Sequence, residues 1–452
     1  MEVKRLSLIL AVAALVSLMV LLATGTKAQG DPTKIWPFTA PGNYTYNSTA
    51  IEVTGGYAQL KPLNSPAWWD TNYSYRERLM ITNNSTSPLV AGHSIKTTVD
   101  TAALETGGKV RSDRRDWRIV YWNGSTNVEL DRHYAGTAET WFALQADIQA
   151  NSSDGNYYAY YGYSGETADP PSNQINVWHF WDDFSDGDIS DWINYGSGAV
   201  VLDAEDGNYV LKKTANNDPN GGYVTFTTLS DYELTFLTDR INTSGGSQNR
   251  YGIEDSDLNG YGLQITTFTD SGQLGIERRA AGSGTTIASV PITGLGLNTW
   301  YRALFRRHEG DFYCAIYSYP VNELLYEVSV SNATYTSFDR FVVHGGYEYW
   351  IDDIRVRRYI EPEPSVTAGA EETAAYPTDA PTLQPTTGQD YAAIYSFAQT
   401  LGPKNEGEVR YQISNDGISW YYYDGSSWGW RPMVRPIPLA RSMAMLLPSM
   451  TM

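Results

Sequence analysis

The sequence predicts an all-β protein built from several β-sandwiches. Three observations predict it. Among 452 residues there are 34 Tyr and 40 Gly, which favour strands and tight turns. Charged residues make up only 18%, too few for the Glu- and Lys-rich outer faces of helices. Short runs that suit strands recur along the chain, separated by clusters of Gly, Asn, Asp and Ser.

The first element is an address. Lys4 and Arg5 precede an apolar run from Leu6 to Ala23, and Thr26-Lys27-Ala28 supplies small residues for a peptidase. Residues 1–28 therefore read as a secretory signal, and no later run is long and apolar enough to span a membrane. Nine Asn-x-Ser/Thr sequons lie beyond it, which suit a secreted glycoprotein. The formal net charge of -19 excludes nucleic acid as a partner, because phosphates require Lys and Arg. Cys314 is the single cysteine, so there is no intramolecular disulfide and no thiolate metal cluster.

Residues 29–65 form a lead-in, with Ile51-Glu52-Val53 and Ala58-Gln59-Leu60 as a strand, turn and strand. Alone it is too small to fold, so it is expected to add strands to the neighbouring sandwich. Residues 66–168 carry Trp68-Trp69-Asp70, Trp117-Arg118-Ile119-Val120-Tyr121-Trp122, Thr140-Trp141-Phe142 and Tyr157-Tyr158-Ala159-Tyr160-Tyr161. Those runs resemble the family catalogued as domain of unknown function 2341, found in prokaryotic surface and secreted proteins. The resemblance implies architecture and location, not chemistry.

After Ala168-Asp169-Pro170-Pro171-Ser172, a short rigid connector, residues 177–359 form a second unit. It opens with Phe180-Trp181-Asp182-Asp183-Phe184 and closes with Tyr349-Trp350-Ile351-Asp352-Asp353-Ile354. Together with the hairpin from Asn298 to Tyr317, these resemble a concanavalin A-like jelly roll of the laminin-G type. Residues 360–388, rich in Pro, Glu, Thr and Ala, read as a flexible linker. Residues 389–430 read as a truncated β module. The tail, 431–452, holds five of the eight Met and no Asp, Glu, Tyr, Trp, Phe, Gly or Asn. It is expected to be disordered, with the reading frame shifting near Trp428.

Catalytic patterns are missing. No two of the five histidines stand at metal-ligand spacing, and there is no Gly-x-Ser-x-Gly elbow or phosphate loop. The paired-carboxylate strand of many concanavalin A-like glycosidases is also lacking. Glu254-Asp255-Ser256-Asp257, beside Asn259-Gly260, reads as a solvated loop. Two candidates remain. If the first and last jelly-roll strands pair, Asp182, Asp183, Asp352 and Asp353 come together, and Ca²⁺ would relieve their repulsion. Strand alternation lets only one member of each pair face a given ion. The second candidate is a sugar-binding face. Trp300, Arg302, Leu304 and Arg306 share one side of a strand whose other side, Tyr301, Ala303 and Phe305, reads as core.

The expected function is a secreted or surface-displayed binding or adhesion protein that takes a glycan or cell-surface polymer through its jelly roll. Two alternatives stand beside it: a glycoside hydrolase or polysaccharide lyase of the same fold, and a structural stalk or surface-layer component.

Overall fold

The computed structural model describes residues 38–387, except 55, 98, 136–138, 197–198, 206, 215–220, 241–248, 267–271, 346–347 and 378–380. It also describes the strand residues 408–414, 421–423, 428–430 and 442–449. The expected signal, 1–28, lies outside the described residues. No helix among the described residues is long and apolar enough to cross a membrane.

The chain is all-β, as expected, and divides into two compact units, 64–374 and the two ends together. The larger unit holds both sandwiches. In the first, a five-stranded antiparallel sheet runs in the order Ser365–Thr373, Tyr75–Thr82, Ser153–Tyr161, Arg118–Trp122, Asn127–Glu129. A three-stranded sheet of Ser94–Thr97, Thr140–Ala143 and His133–Tyr134 accompanies it. Period-two alternation aims Leu79, Ile81, Trp117, Ile119, Tyr157 and Tyr161 into a shared core with Phe142 and Ile95. The reverse side of the larger sheet packs Tyr158 and Tyr160 against Trp68 and Tyr73.

The jelly roll is two facing sheets. The eight-stranded one carries Val200–Glu205, Asn208–Lys213, Tyr349–Arg358, Tyr232–Arg240, Tyr301–His308, Asp311–Ser318 and Leu324–Ser331 in spatial order, with Phe180–Asp182 also on Tyr349–Arg358. The seven-stranded one runs Ile193–Tyr195, Gly221–Leu229, Phe338–Gly345, Asn249–Glu254, Gly260–Ile265, Gly272–Ala280, Ser283–Ile292. Between them lies one apolar core that includes Tyr251, Ile253, Leu263, Ile276, Phe305 and Ile351.

Three expectations about organisation are corrected. The 360–388 segment is not a free linker. Ser365–Thr373 pairs antiparallel with Tyr75–Thr82, so the jelly roll is inserted within the first sandwich. Side chains fasten that strand: Arg76 holds Glu372 at 2.8 Å and Lys109 holds Glu371 at 2.7 Å. The lead-in does not extend the first sandwich either. Its Tyr44–Tyr46 strand pairs with Thr382–Pro385, and Tyr44, Ile51, Val53 and Leu383 bury one another. Nor is the tail wholly without structure. Ser442–Ser449 lies between Thr382–Pro385 and Glu408–Ser414, parallel to both. A strand edge such as Glu408–Ser414 carries unpaired N–H and C=O groups, and the tail strand satisfies them.

The two sandwiches meet through aromatic side chains. Trp178 packs on Trp141 at 4.9 Å and on His133 at 5.6 Å. The guanidinium of Arg357 sits over Trp141, that of Arg355 over Trp178, and the Ser94 hydroxyl donates to the Val177 carbonyl.

Candidate functional site

The first and last jelly-roll strands do pair: Phe180 stands opposite Val356, Trp181 opposite Arg355 and Asp182 opposite Ile354. Tyr349 to Ile351 pair instead with Asn208–Lys213, on the same side of the strand. Asp352 and Asp353 fall at the changeover, where an irregularity interrupts the ladder to Tyr232–Arg240. Asp353 has φ 48°, and the core-facing phase shifts from Tyr349 and Ile351 to Ile354 and Val356. That extra residue is a bulge. Strict alternation therefore fails here, and both aspartates are half-buried.

The four carboxylates each have partners of their own. Among the described residues no group of three or more His, Cys, Asp or Glu is placed to hold a metal. The reason is local. Asp353 is gripped by Arg355 through two contacts of 2.8 Å and approached by Arg302 at 3.5 Å. Asp182 accepts from the Phe184 amide at 2.9 Å and the Trp192 indole at 3.1 Å. Asp183 accepts the Ser185 amide in its own turn. Asp352 is pushed up to about 7 by burial, with Asp353, Asp183 and Asp182 adding repulsion. Burial likewise raises Asp182 to about 6. Burial and mutual repulsion thus favour the protonated forms of Asp352 and Asp182, while Arg355 pairs with Asp353.

On the same outward side stand the expected sugar-binding residues. Arg302, Leu304 and Arg306 alternate with buried Tyr301, Ala303 and Phe305, as expected. Trp300 lies nearly parallel to Trp350, 6.4 Å away at 18°, and the Trp350 indole donates to Asp203 at 3.0 Å. Arg302 lies over Tyr319, which is 43% exposed. Arg306 is occupied: Glu233 accepts from it at 2.6 and 3.0 Å, and it covers Tyr359 at 4.2 Å. The face thus brings Trp300, Trp350 and Arg302 together and commits Arg306 to an ion pair.

A second constellation lies on the outward side of the seven-stranded sheet. Tyr251 and Ile253 face the core, so Arg250, Gly252 and Glu254 face out. Beside them, Gly260, Gly262 and Gln264 face out, then Glu277 and Arg279. Arg279 reaches across Gly260 to Glu254, Nε to Oε1 2.9 Å, and to Glu277 at 3.6 Å. Arg250 meets Glu277 at 3.1 Å across Gly262. The Arg279–Glu254 contact is an ion pair rather than a hydrogen bond, because the N–H is not aimed at the oxygen. Glycines make the floor: a Cβ on Gly252 would stand 2.6 Å from Glu254 Oε1, and one on Gly284 2.7 Å from Glu277 Oε2. Glu254 is 1% exposed, and burial pushes it up to about 7 against the pull of Arg279. Buried His344, 3.9 Å from Glu254, is held neutral by desolvation and by the neighbouring Arg279 and Arg250. Glu254 is therefore not part of a solvated loop, although Asp255 does close the turn by accepting the Asp257 and Asn259 amides.

No family model matches the chain. Over 209 residues it is 34% identical to the uncharacterised protein MJ1394 of Methanocaldococcus jannaschii, covering 43% of this chain and 21% of that protein. The chain thus spans about a fifth of the length of the curated relative it matches. Among solved structures it is similar to the carbohydrate-binding module CBM66 from Bacillus subtilis, with 11% identity, 37% of this chain and 95% of that chain covered, and a TM-score of 0.30. It is also similar to the VIP36 exoplasmic/lumenal domain bound to Ca²⁺ and Man3GlcNAc, with 11% identity, 39% and 94% covered, and a TM-score of 0.31. A family 16 endo-glucanase from Bacteroides ovatus gives 11% identity, 39% and 99% covered, and a TM-score of 0.31. At that level such likeness carries no functional argument.

Proposed function

We propose that this chain is a secreted or surface-displayed binding protein whose jelly roll holds a carbohydrate on the outward side of its eight-stranded sheet. The observation that carries this reading is the Trp300 and Trp350 pair, half-buried and nearly parallel, beside Arg302 and Asp203. Flat indoles suit the apolar faces of pyranose rings, and arginine and carboxylate suit their hydroxyls. Arg306, paired with Glu233, lies on the same side of the strand as Arg302. The first sandwich belongs, on this reading, with the domain of unknown function 2341 family, as a scaffold. Screening the full chain on a glycan array tests the reading. Binding that is lost in both Trp300→Ala and Trp350→Ala supports it. Binding that survives both overturns the assigned face, and silence across the array overturns carbohydrate recognition.

A further inference from the structure

A groove of about 580 Å³ opens where the jelly roll meets the first sandwich. Its size is within the ordinary range of small-ligand sites, roughly 300–1,000 Å³, and such sites favour junctions between domains. Its walls include Trp178, His179, Trp181 and Phe226, with Asp191 and Arg358 among the polar members. We propose that this groove is a second saccharide site, specific for a neutral sugar. The proposal rests on the carbohydrate reading above and assigns it a separate place.

Two observations carry it. The first is aromatic surface: five of the lining side chains are rings, and His179 packs edge-on against Phe226 at 5.4 Å. The second is an uncommitted arginine. Arg302, Arg306, Arg307, Arg355 and Arg357 each hold a carboxylate. Arg358, the next residue in the chain, makes no ion pair or side-chain hydrogen bond with any described residue, and it lines the groove. A guanidinium with its fork of donors unused is suited to vicinal hydroxyls.

Charge selects the class of sugar. Asp191 and Arg358 offset each other. His179 is pushed down by burial and by Arg358, so it adds no charge near neutral pH. The groove therefore has no net charge to match a uronate, sulfate or phosphate. Its recognition is stacking plus hydrogen bonds to a neutral ring.

The test uses the full chain with neutral hexasaccharides of glucose, mannose and N-acetylglucosamine, and a hexagalacturonate as the charged probe. Binding is read by calorimetry and by tryptophan fluorescence, since two indoles line the groove. The expected result is a site for a neutral oligosaccharide that Arg358→Gln weakens about tenfold or more, the scale of a hydrogen bond to a charged group. Asp191→Asn, an exposed change safe for folding, is expected to weaken it several-fold, with melting curves unchanged. Trp300→Ala, on the other face, is expected to leave this site intact. If a neutral oligosaccharide binds but Trp300→Ala abolishes it and Arg358→Gln and Asp191→Asn do not, the groove proposal falls and the carbohydrate reading stands. If the galacturonate binds more tightly than every neutral probe, the charge argument falls. If none of the probes binds the wild-type chain, the groove proposal falls, and the glycan array alone decides the broader reading.

Discussion

Arg279→Ala should destabilise the jelly roll severely. Arg279 and Glu254 are each 1% exposed and Glu277 is 2% exposed, so removal of the guanidinium strands Glu254 and weakens the hold on Glu277 in a dry site. Breaking a buried pair by deleting one partner costs about 3–5 kcal/mol. The jelly roll from Phe180 to Arg358 is about 180 residues. At about 2.1 cal/mol/K per residue, its unfolding entropy is about 0.4 kcal/mol/K near the midpoint. The expected fall in Tm is therefore about 8–13 °C, read by scanning calorimetry at pH 7. Replacing both partners, as Arg279→Met with Glu254→Met, should recover most of the loss, because a buried pair and an apolar pair of similar volume are close in stability. Arg250 still holds Glu277 in that double variant. A fall of less than about 2 °C in Arg279→Ala would show that water reaches these groups and that the pairing is incidental. A double variant no better than the single would show that packing, not charge, is at issue.

Gly252→Ala should also destabilise, by about 1–3 kcal/mol, because its Cβ would press the Glu254 carboxylate at 2.6 Å; equilibrium urea unfolding measures it, and wild-type stability would refute the glycine floor. Glu254→Gln should flatten part of the pH dependence of Tm. Its folded pKa of about 7 lies above the ordinary 4.5, so this group's contribution is complete below about 4.5 and is lost as pH rises through about 7. Asp352→Asn should act in the same sense, from 3.8 up to about 7, and should melt no lower than wild type at pH 8; a lower melt there would mean that the ionised carboxylate is the favoured form. Deleting Ser365–Thr373 should expose the Tyr75–Thr82 edge and lower the first sandwich's melting temperature; in the intact chain, limited proteolysis should spare this segment, and rapid cleavage there would refute the strand pairing.

Much of the architecture is legible in the sequence because it is local. Alternation separates Tyr301, Ala303 and Phe305 from Arg302, Leu304 and Arg306 without any knowledge of neighbours. The paired terminal strands are legible from the matching Asp-Asp sequences, but the bulge at Asp353 is not, since it arises where two different strands share one edge. Glu254 misleads for a related reason. Four residues rich in Asp and Ser suggest a loop, yet Glu254 ends a strand in which Tyr251 and Ile253 already mark the period. The signal is present as the outward set Arg250, Gly252, Glu254, repeated in kind by Gly260, Gly262, Gln264 and by Glu277, Arg279. Only the register, with Glu254 opposite Gly260 and Gly260 opposite Arg279, turns that polarity into ion pairs. Ser365–Thr373 is invisible by composition. It is a largely exposed edge strand that buries little apolar surface, so its sequence has a linker's chemistry.

The insertion of the jelly roll has a mechanical consequence. A domain joined by one connector is free to swing about it unless the interface is large and apolar. Here the chain leaves the first sandwich after Ser153–Tyr161 and returns to its edge as Ser365–Thr373, so two connectors constrain the same angle. Asn173 and Asn176 both donate to Asp131, pinning the outgoing connector, while Ile360 joins the sandwich core on the return. Between these fixings Trp178 is clasped by Trp141, His133 and Arg355. The groove lies at this joint, and Ala91 and Gly92 of one sandwich line it together with Phe226 and Arg358 of the other. Its walls are therefore held in place before any ligand arrives. A pre-formed site loses little conformational entropy on binding, which favours affinity for a small, weakly interacting ligand such as a neutral sugar.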